Sequence, residues 1–102
     1  MIDIHKLNAF VAVVEESNIS KAANRLYMQQ PPLTRLIKSL EQELGTALFK
    51  RLPRGVEVTE AGRVLYQEAL SILAHAQAIP QRVHNIAQGL EGQLHIGFTN
   101  SV

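Results

Sequence analysis

Four polar side chains near the middle of the chain are spaced so that they fall on one side of a helix. Thr34, Arg35, Lys38 and Gln42 follow one another at intervals of one, three and four residues, which groups them on one helical face. A guanidinium can donate to O6 and N7 of a guanine together, a pair that gives roughly 1 to 3 kcal/mol of discrimination. The pattern predicts a helix that reads base edges in the major groove of DNA.

The other side of this segment is apolar, and its ends carry helix signals. Pro31 and Pro32 stand at its start, where backbone amides have no partner within the helix and proline therefore loses no hydrogen bond. Gly45 marks its end. Cations on such a helix are often only hydrated, so this segment alone does not distinguish DNA binding from an ordinary helical bundle. The apolar residues at helical spacing are Leu33, Leu36, Ile37, Leu40 and Leu44.

A shorter helical pattern precedes this one. Ser20 supplies a hydroxyl for the N-cap, and Ala22, Ala23 and Leu26 fall on one side. Their small side chains allow close approach to a neighbouring helix. Only a few residues separate the two patterns, and together they predict a helix-turn-helix in which the second helix is the recognition helix.

A predicted β-hairpin follows. Two short runs, Leu48–Leu52 and Val56–Val58, flank the turn residues Pro53, Arg54 and Gly55. Cations in a surface turn often serve solubility alone, but a cationic hairpin after a recognition helix is typical of a wing. There the cations can neutralise phosphates or enter the narrow minor groove. They are Lys50, Arg51 and Arg54.

A long helix is predicted from the capping residue Thr59 to about Gly89, roughly 46 Å at 1.5 Å per residue. Its apolar residues alternate spacings of four and three, as in the seam of a coiled coil. Such a stripe is often covered by the same chain, but the first 58 residues look too few to cover it. We therefore expect a homodimer and an inverted-repeat operator. The seam residues are Leu65, Ala69, Ile72, Ala76, Ile79, Val83, Ile86 and Leu90.

Two features interrupt or follow this helix. Pro80 removes one helical hydrogen bond and crowds the carbonyl of Ala76, which predicts a bend near residues 76–80. Beyond the helix, Leu94, Ile96 and Phe98 alternate with small or polar residues as in a β-strand. This strand is interpreted as the start of a further, truncated domain, and a disordered tail is the alternative.

These elements together resemble the N-terminal DNA-binding domain of LysR-type transcriptional regulators, over about the first 90 residues. The wording of residues 30–35, QPPLTR, is similar to the branch that controls the catabolism of aromatic compounds. The residues that carry the resemblance are Leu7, Phe10, Ala22, Ala23, Leu26, Gln30, Pro31, Leu33, Arg35, Leu40, Glu41, Leu44, Gly45, Leu48, Phe49, Arg51, Arg54, Thr59, Ala61 and Gly62.

The resemblance implies a mainly α fold, in which a winged helix-turn-helix is followed by a long dimerisation (linker) helix. It divides the chain into a DNA-binding domain (1–58), the linker helix (59–90) and the start of an effector-binding domain (91–102). The partners implied are double-stranded DNA and a second copy of the chain, with a tetramer as the larger assembly of the full-length protein. No cofactor is expected within these residues, and a small-molecule effector is expected for the missing domain.

The resemblance also implies roles for single residues. The positions expected to approach bases are Gln30, Pro31, Pro32, Thr34 and Arg35, and Arg54 is directed at the minor groove. The chain departs from the family pattern at Gln29, a weaker N-cap with a longer reach toward DNA, and at Leu36, where a glutamine is common. We interpret the remaining cations, Lys21, Lys38, Lys50 and Arg51, as phosphate contacts.

Composition bounds the remaining possibilities. The net charge is only +1, but residues 28–58 hold five Lys and Arg against three Glu, so the positive excess lies where the reading elements are. The chain has no cysteine, its four histidines form no metal-binding spacing, and its longest apolar run is far too short for a membrane span. We therefore expect a bacterial, soluble, cytoplasmic regulator and no enzyme. A coiled-coil adaptor that binds protein is the rival class, although it leaves the cationic hairpin unexplained.

Overall fold

The computed structural model describes residues 1–93, with side chains through residue 89. The predicted strand at Leu94–Phe98 lies outside these residues. Over the described range the elements are α1 (Ile4–Glu16), α2 (Ile19–Arg25), α3 (Gln30–Leu44), β1 (Phe49–Leu52), β2 (Gly55–Val58) and α4 (Glu60–Gln93).

The central element is α1, because its apolar run is buried on several sides. The helix begins where the Asp3 side chain accepts a hydrogen bond from the Lys6 amide (2.8 Å) and ends at Ser17 in the left-handed conformation. Phe10 has no exposed surface, and its ring centroid lies 5.3 Å from that of Phe49. Burying a large apolar side chain such as this one contributes about 1.5 to 3 kcal/mol to the free energy of folding. The main core comprises Ala9, Phe10, Ala12, Val13, Ile19, Ala22, Ala23, Leu33, Ile37, Leu40, Leu48 and Val56.

The start of α2 differs from the sequence prediction. Asn18, not Ser20, is the N-cap, and its side chain accepts from the Lys21 amide at 2.9 Å. The reason is burial: Ile19 is the first helical residue and its side chain lies in the core, which moves the cap one residue before it. The close-packing face of small residues is confirmed, since Ala22 and Ala23 are both buried.

The predicted recognition helix is α3. Its cap residue, Gln29, makes no side-chain capping hydrogen bond within the described chain, as the sequence suggested, and the two prolines occupy the first turn. Gly45 ends the helix with a φ of 71°. Leu33, Ile37 and Leu40 are buried, whereas Leu44 at the end of the helix is exposed.

The hairpin pairs β1 and β2 in antiparallel register. Leu52 is opposite Gly55, so Gly55 belongs to β2 and the turn consists of Pro53 and Arg54 alone. This corrects the predicted three-residue turn. The correction has a physical cause: the Val56 amide donates to the Ser17 carbonyl (3.1 Å), which brings Gly55 against that carbonyl and keeps it in the strand.

The connections on either side of the hairpin are held by hydrogen bonds. The Glu41 carboxylate accepts from the amides of Leu48 (2.7 Å) and Phe49 (3.3 Å), which joins the end of α3 to β1. The Thr59 hydroxyl donates to the Ala47 carbonyl (2.8 Å) and accepts from the Gly62 amide (3.0 Å). The predicted capping role of Thr59 at the start of α4 is thereby confirmed.

The final helix, α4, has 34 residues, about 50 Å at 1.5 Å per residue. It continues through Pro80 and Gly89 to Gln93, beyond the predicted end. Its first turns pack on the domain: Ala69 is fully buried against Leu7 and Val11. The core therefore continues past the predicted boundary at residue 58. No helix in residues 1–93 is both long and apolar enough to cross a membrane.

The residues of the predicted dimer seam differ in their burial within the single chain. Ala69 has none of its side chain exposed, and Leu65 is half-buried against the same residues of α1. The start of α4 therefore packs against its own domain, and the place of Leu65 and Ala69 in a dimer seam stays a prediction. From Ile72 onward the seam residues are exposed or half-buried through Ile86, and the side chain of Leu90 lies outside the described residues.

Candidate nucleic-acid interface

The outward side of α3 carries the side chains that the sequence placed there. Arg35, Lys38 and Gln42 are exposed, and Thr34 is half-buried at the edge of the same face. Pro31 is exposed and Pro32 half-buried in the first turn. The helix therefore buries Leu33, Ile37 and Leu40 and presents a guanidinium, an ammonium and, in part, a hydroxyl to solvent.

Two shallow depressions join this side of α3 to its neighbours. One, of about 270 Å³, lies between α3 and the hairpin, and its polar lining residues are Thr34, Lys38, Glu41 and Arg51. The other, of about 230 Å³, lies between the start of α2, the start of α3 and the hairpin, and is bordered by Ser20, Gln30 and Arg51. Because Arg51 borders both, the two depressions form one continuous surface. We call the exposed side of α3, the start of α2 and the α3-facing side of the hairpin the basic face.

The hairpin register separates its two adjacent cations. Arg51 is opposite Val56, which is buried, whereas Lys50 is opposite the exposed Glu57. Because side chains alternate along a strand, Arg51 is on the side toward α3 and Lys50 on the side away from it. Arg54 is exposed in the two-residue turn. The structure thus brings Arg51 onto the basic face and leaves Lys50 off it.

The cations of the basic face are not neutralised within the described chain. Among residues 1–89, whose side chains the structure describes, the salt bridges involve the N-terminus, Lys6, Arg25 and Arg63. Lys6, for example, lies 3.1 Å from the Glu43 carboxylate, on another part of the surface. None of these pairs includes the cations predicted to bind DNA, which are Lys21, Arg35, Lys38, Lys50, Arg51 and Arg54.

A polar network fixes α2 relative to α1 and α4. The Tyr66 hydroxyl donates to the Glu15 carboxylate (2.7 Å), and Arg25 bridges Glu15 (2.8 Å) and Glu16 (3.3 Å). The hydrogen bond from Tyr66, followed by the one from Arg25, lowers the pKa of Glu15 below its ordinary value. The same bond raises the pKa of Tyr66. The network joins α2 to α1 and α4 at the surface of the domain, and α3 packs on α2.

Sequence reasoning missed three residues that shape this region. Asn18 caps α2, and Glu41 holds the backbone between α3 and β1. Glu41 was part of the family pattern, but a sequence does not show that its carboxylate accepts from two amides seven and eight residues later. Tyr27 adopts a φ of 56° in the turn before α3, and no periodic pattern marks it. Within the described residues, no cluster of His, Cys, Asp and Glu could hold a metal ion.

The family description "Bacterial regulatory helix-turn-helix protein, lysR family" matches residues 4–63 of this chain. The chain belongs to the LysR family. The match confirms the resemblance stated above. Because the family is one of regulatory proteins, the prediction that the chain is not an enzyme is also confirmed.

Several named relatives of this LysR-family chain are regulators. It is 48% identical over 100 residues to the transcriptional regulator BudR of Klebsiella aerogenes, covering 98% of this chain and 70% of that protein. It is 45% identical to BudR of Raoultella terrigena, covering 98% of this chain and 34% of that protein. It is 42% identical to TfdT of Cupriavidus pinatubonensis (strain JMP 134 / LMG 1197), covering 95% and 42%. The chain thus spans about a third of the length of the R. terrigena relative.

Solved structures confirm the fold class, a winged helix-turn-helix followed by a long helix. The LysR-family chain is similar to the CbnR DNA-binding domain in complex with DNA, with a TM-score of 0.81, 38% identity, and coverage of 84% of this chain and 99% of that one. It is also similar to the BenM DNA-binding domain in complex with catB site 1 DNA, with a TM-score of 0.80, 41% identity, and coverage of 84% and 96%.

Proposed function

We propose that this LysR-family chain binds double-stranded DNA sequence-specifically, as a homodimer on an inverted repeat, and thereby regulates transcription. One observation carries the proposal: the exposed side of α3, the start of α2 and Arg51 of the hairpin form a single surface, bordering two adjoining depressions. Its cations have no acidic partner within the described residues, so phosphates can supply their counter-charge.

In this proposal α3 enters the major groove. A helix with its side chains is about 10 to 12 Å across, and the major groove is about 12 Å wide. Arg35 donates to a guanine, and Thr34 and Gln30 contact neighbouring base edges. Gln29 reaches the same groove from the cap position. Pro31 and Pro32 lack amide hydrogens, so their rings supply apolar contacts such as one to a thymine methyl.

The remaining cations fix the register of the helix in the groove. Lys21, Lys38 and Arg51 are exposed around the basic face and bind phosphates, which carry no sequence information directly. Arg54, in the turn of the hairpin, enters the adjacent minor groove, where a narrow groove concentrates negative potential. Lys50 is on the other side of the hairpin, so we expect it to contribute less to phosphate binding than the other cations do.

The dimer forms through the part of α4 that extends beyond its own domain, which we call the distal seam. Val83, for example, has 63% of its surface exposed although it is apolar. A second copy of the chain related by a two-fold axis would cover this stripe and present two α3 helices to two half-sites. The distal seam comprises Ile72, Ala76, Ile79, Val83 and Ile86, with Leu90 as its expected continuation.

Three finer assignments rest on the family resemblance. We propose that the full-length protein binds a small-molecule effector through a domain starting near residue 91, that it can assemble into tetramers, and that it acts in the cytoplasm. The division into residues 1–58, 59–90 and 91–102 is part of the same proposal. The branch that controls aromatic catabolism is the subgroup that the QPPLTR wording favours.

Binding of the purified chain to a duplex at several salt concentrations tests this function against the protein-binding adaptor. Each neutralised phosphate contributes about −0.9 to the slope of log affinity against log salt. The cations of two basic faces should therefore give a slope of about −4 or steeper. Undetectable duplex binding, or an affinity that hardly changes between about 50 and 200 mM salt, would exclude the proposed interface.

A further inference from the structure

Tyr27 lies in the turn between α2 and α3 with 96% of its surface exposed. Its neighbours Leu26 and Met28 both pack against the main core. The turn is therefore anchored on either side of Tyr27, and the phenol is the part of it that projects into solvent. Fixed in this way, the ring buries almost no apolar surface within its own chain.

The backbone at Tyr27 makes this choice of residue unfavourable for stability. Met28 N–H donates to the Ala23 carbonyl (3.0 Å) and Tyr27 N–H to the Asn24 carbonyl (3.1 Å), which is the Schellman arrangement at the end of α2. Its left-handed position favours glycine or asparagine, and a bulky residue at a φ of 56° is an outlier. Neither burial nor backbone preference explains a tyrosine here.

The position is next to the proposed DNA-reading elements. Tyr27 precedes Gln30, the first residue of α3, by three residues, so their Cα atoms are at most about 11 Å apart. A helix that enters the major groove places the backbone before its first turn beside the phosphates that line the groove. Tyrosine hydroxyls are regular donors to such phosphates.

We propose that Tyr27 contacts the DNA backbone: its hydroxyl donates to a phosphate oxygen flanking the groove that α3 enters, and its ring packs on the adjacent sugar. The proposal rests on the DNA-binding function proposed above. It assigns this tyrosine a binding role that offsets the unfavourable backbone conformation. The contact adds no charge, so it strengthens binding without adding to the salt dependence.

Two variants separate binding from stability. Tyr27→Gly removes the ring and suits the left-handed backbone, so its melting temperature should rise by a few degrees while its affinity for a duplex falls by about tenfold. Tyr27→Phe keeps the ring and the backbone conformation and loses only the hydroxyl. It should lose most of the same affinity with an unchanged melting temperature. The slope against salt should match that of the parent in both variants.

The measurements are duplex affinity by fluorescence anisotropy, melting by circular dichroism and assembly by sedimentation. A Tyr27→Gly variant that binds the duplex as tightly as a salt-sensitive parent would overturn the Tyr27 contact and leave the proposed function intact. Loss of affinity together with loss of the dimer would overturn it too, by placing the ring in a protein contact. A parent chain that fails to bind any duplex would remove both proposals.

Discussion

Adjacent cations on β1 have opposite relations to α3. Arg51 borders both depressions of the basic face, whereas Lys50 is opposite Glu57 in the strand register, on the side away from α3. The sequence alone ranks the two cations equally, because they are neighbours with the same charge. The strand register places them on opposite sides of the hairpin, so substitution of each to alanine tests the difference.

Arg51→Ala should weaken duplex binding more than Lys50→Ala. Removing a phosphate contact from each subunit of a dimer should make the slope of log affinity against log salt shallower by about 1.8. Lys50→Ala, one residue away, controls for the loss of one positive charge from the hairpin. Anisotropy titrations at four salt concentrations measure both effects. If Lys50→Ala had the larger effect, the assignment of hairpin sides would be wrong.

A pH dependence follows from the network around Glu15. The Tyr66 hydroxyl and then Arg25 lower the pKa of Glu15 in the folded chain, so the unfolded chain binds a proton at higher pH than the folded chain does. The stabilisation is present above the pKa of the unfolded chain and is lost as the pH falls through the lower folded value.

Urea unfolding of the parent and of Glu15→Gln at pH 7 and pH 3 checks this. We expect the parent to be the more stable at pH 7 and the difference to shrink at pH 3. Glu68→Gln, which removes an exposed carboxylate from α4, should show a smaller change between the two pH values. A parent–variant difference for Glu15→Gln that grows toward pH 3 would contradict the direction of the shift.

At the scale of elements, the hairpin is held in place at Gly55. This residue has a φ of 115°, and a Cβ there would overlap the Ser17 carbonyl oxygen, which accepts the Val56 amide. Gly45 provides a comparison, because its φ of 71° is also left-handed but a Cβ would meet no atom within 4 Å. The two glycines separate backbone strain from steric overlap.

Gly55→Ala should lower the free energy of unfolding by more than the roughly 1 kcal/mol expected for strain alone. It should also weaken duplex binding, since the hairpin must shift away from the loop between α1 and α2. Gly45→Ala should cost about 1 kcal/mol and leave binding nearly unchanged. Urea titrations and duplex affinities measure these outcomes. Equal costs for the two variants would show that the contact with Ser17 does not position the hairpin.

The sequence predicted most elements because local signals agree with the fold there. Helical spacing identified α3, and Thr59 and Gly45 marked helix ends correctly. The sequence-based prediction was wrong where contacts between distant residues determine the bounds of an element. Because Ile19 is buried, Asn18 caps α2 in place of Ser20. Because the Val56 amide donates to the Ser17 carbonyl, Gly55 belongs to β2 and not to the turn. A spacing pattern contains neither contact.

The same limit applies to the basic face. The helical spacing of apolar residues predicts which side of α3 is exposed and which of its cations lie there. The position of Arg51 between α2 and α3, and the separation of Lys50 from it, depend on how the hairpin packs against residues far away in sequence. Tyr27 depends on a turn conformation that a tyrosine does not signal.

At the scale of the whole molecule, α4 has two different parts. Its first turns complete the domain core through Leu65 and Ala69, and the remainder presents apolar residues that the described chain does not cover. The heptad spacing is the same in both parts, so the sequence could not show where the domain stops covering the stripe. The structure places that change near Ile72, which is exposed.

Val83→Glu should therefore disrupt a dimer without unfolding the domain. A carboxylate in an apolar seam loses hydration and meets its own copy across a two-fold axis, so we expect the dimer dissociation constant to rise at least about tenfold. His84→Glu adds the same group one residue along and serves as the control. Sedimentation equilibrium measures assembly, and circular dichroism checks the fold. A dimer of parental strength in Val83→Glu would place the interface elsewhere.

The most direct test of the account is the base preference of the Arg35→Ala variant, measured by selecting bound duplexes from a randomised pool. We predict that this variant loses preference at one base pair in each half-site by about tenfold. Arg54→Ala should bind more weakly with its major-groove preferences unchanged. If both variants select the same sequences as the parent, with the same affinity, α3 does not read DNA in the way proposed.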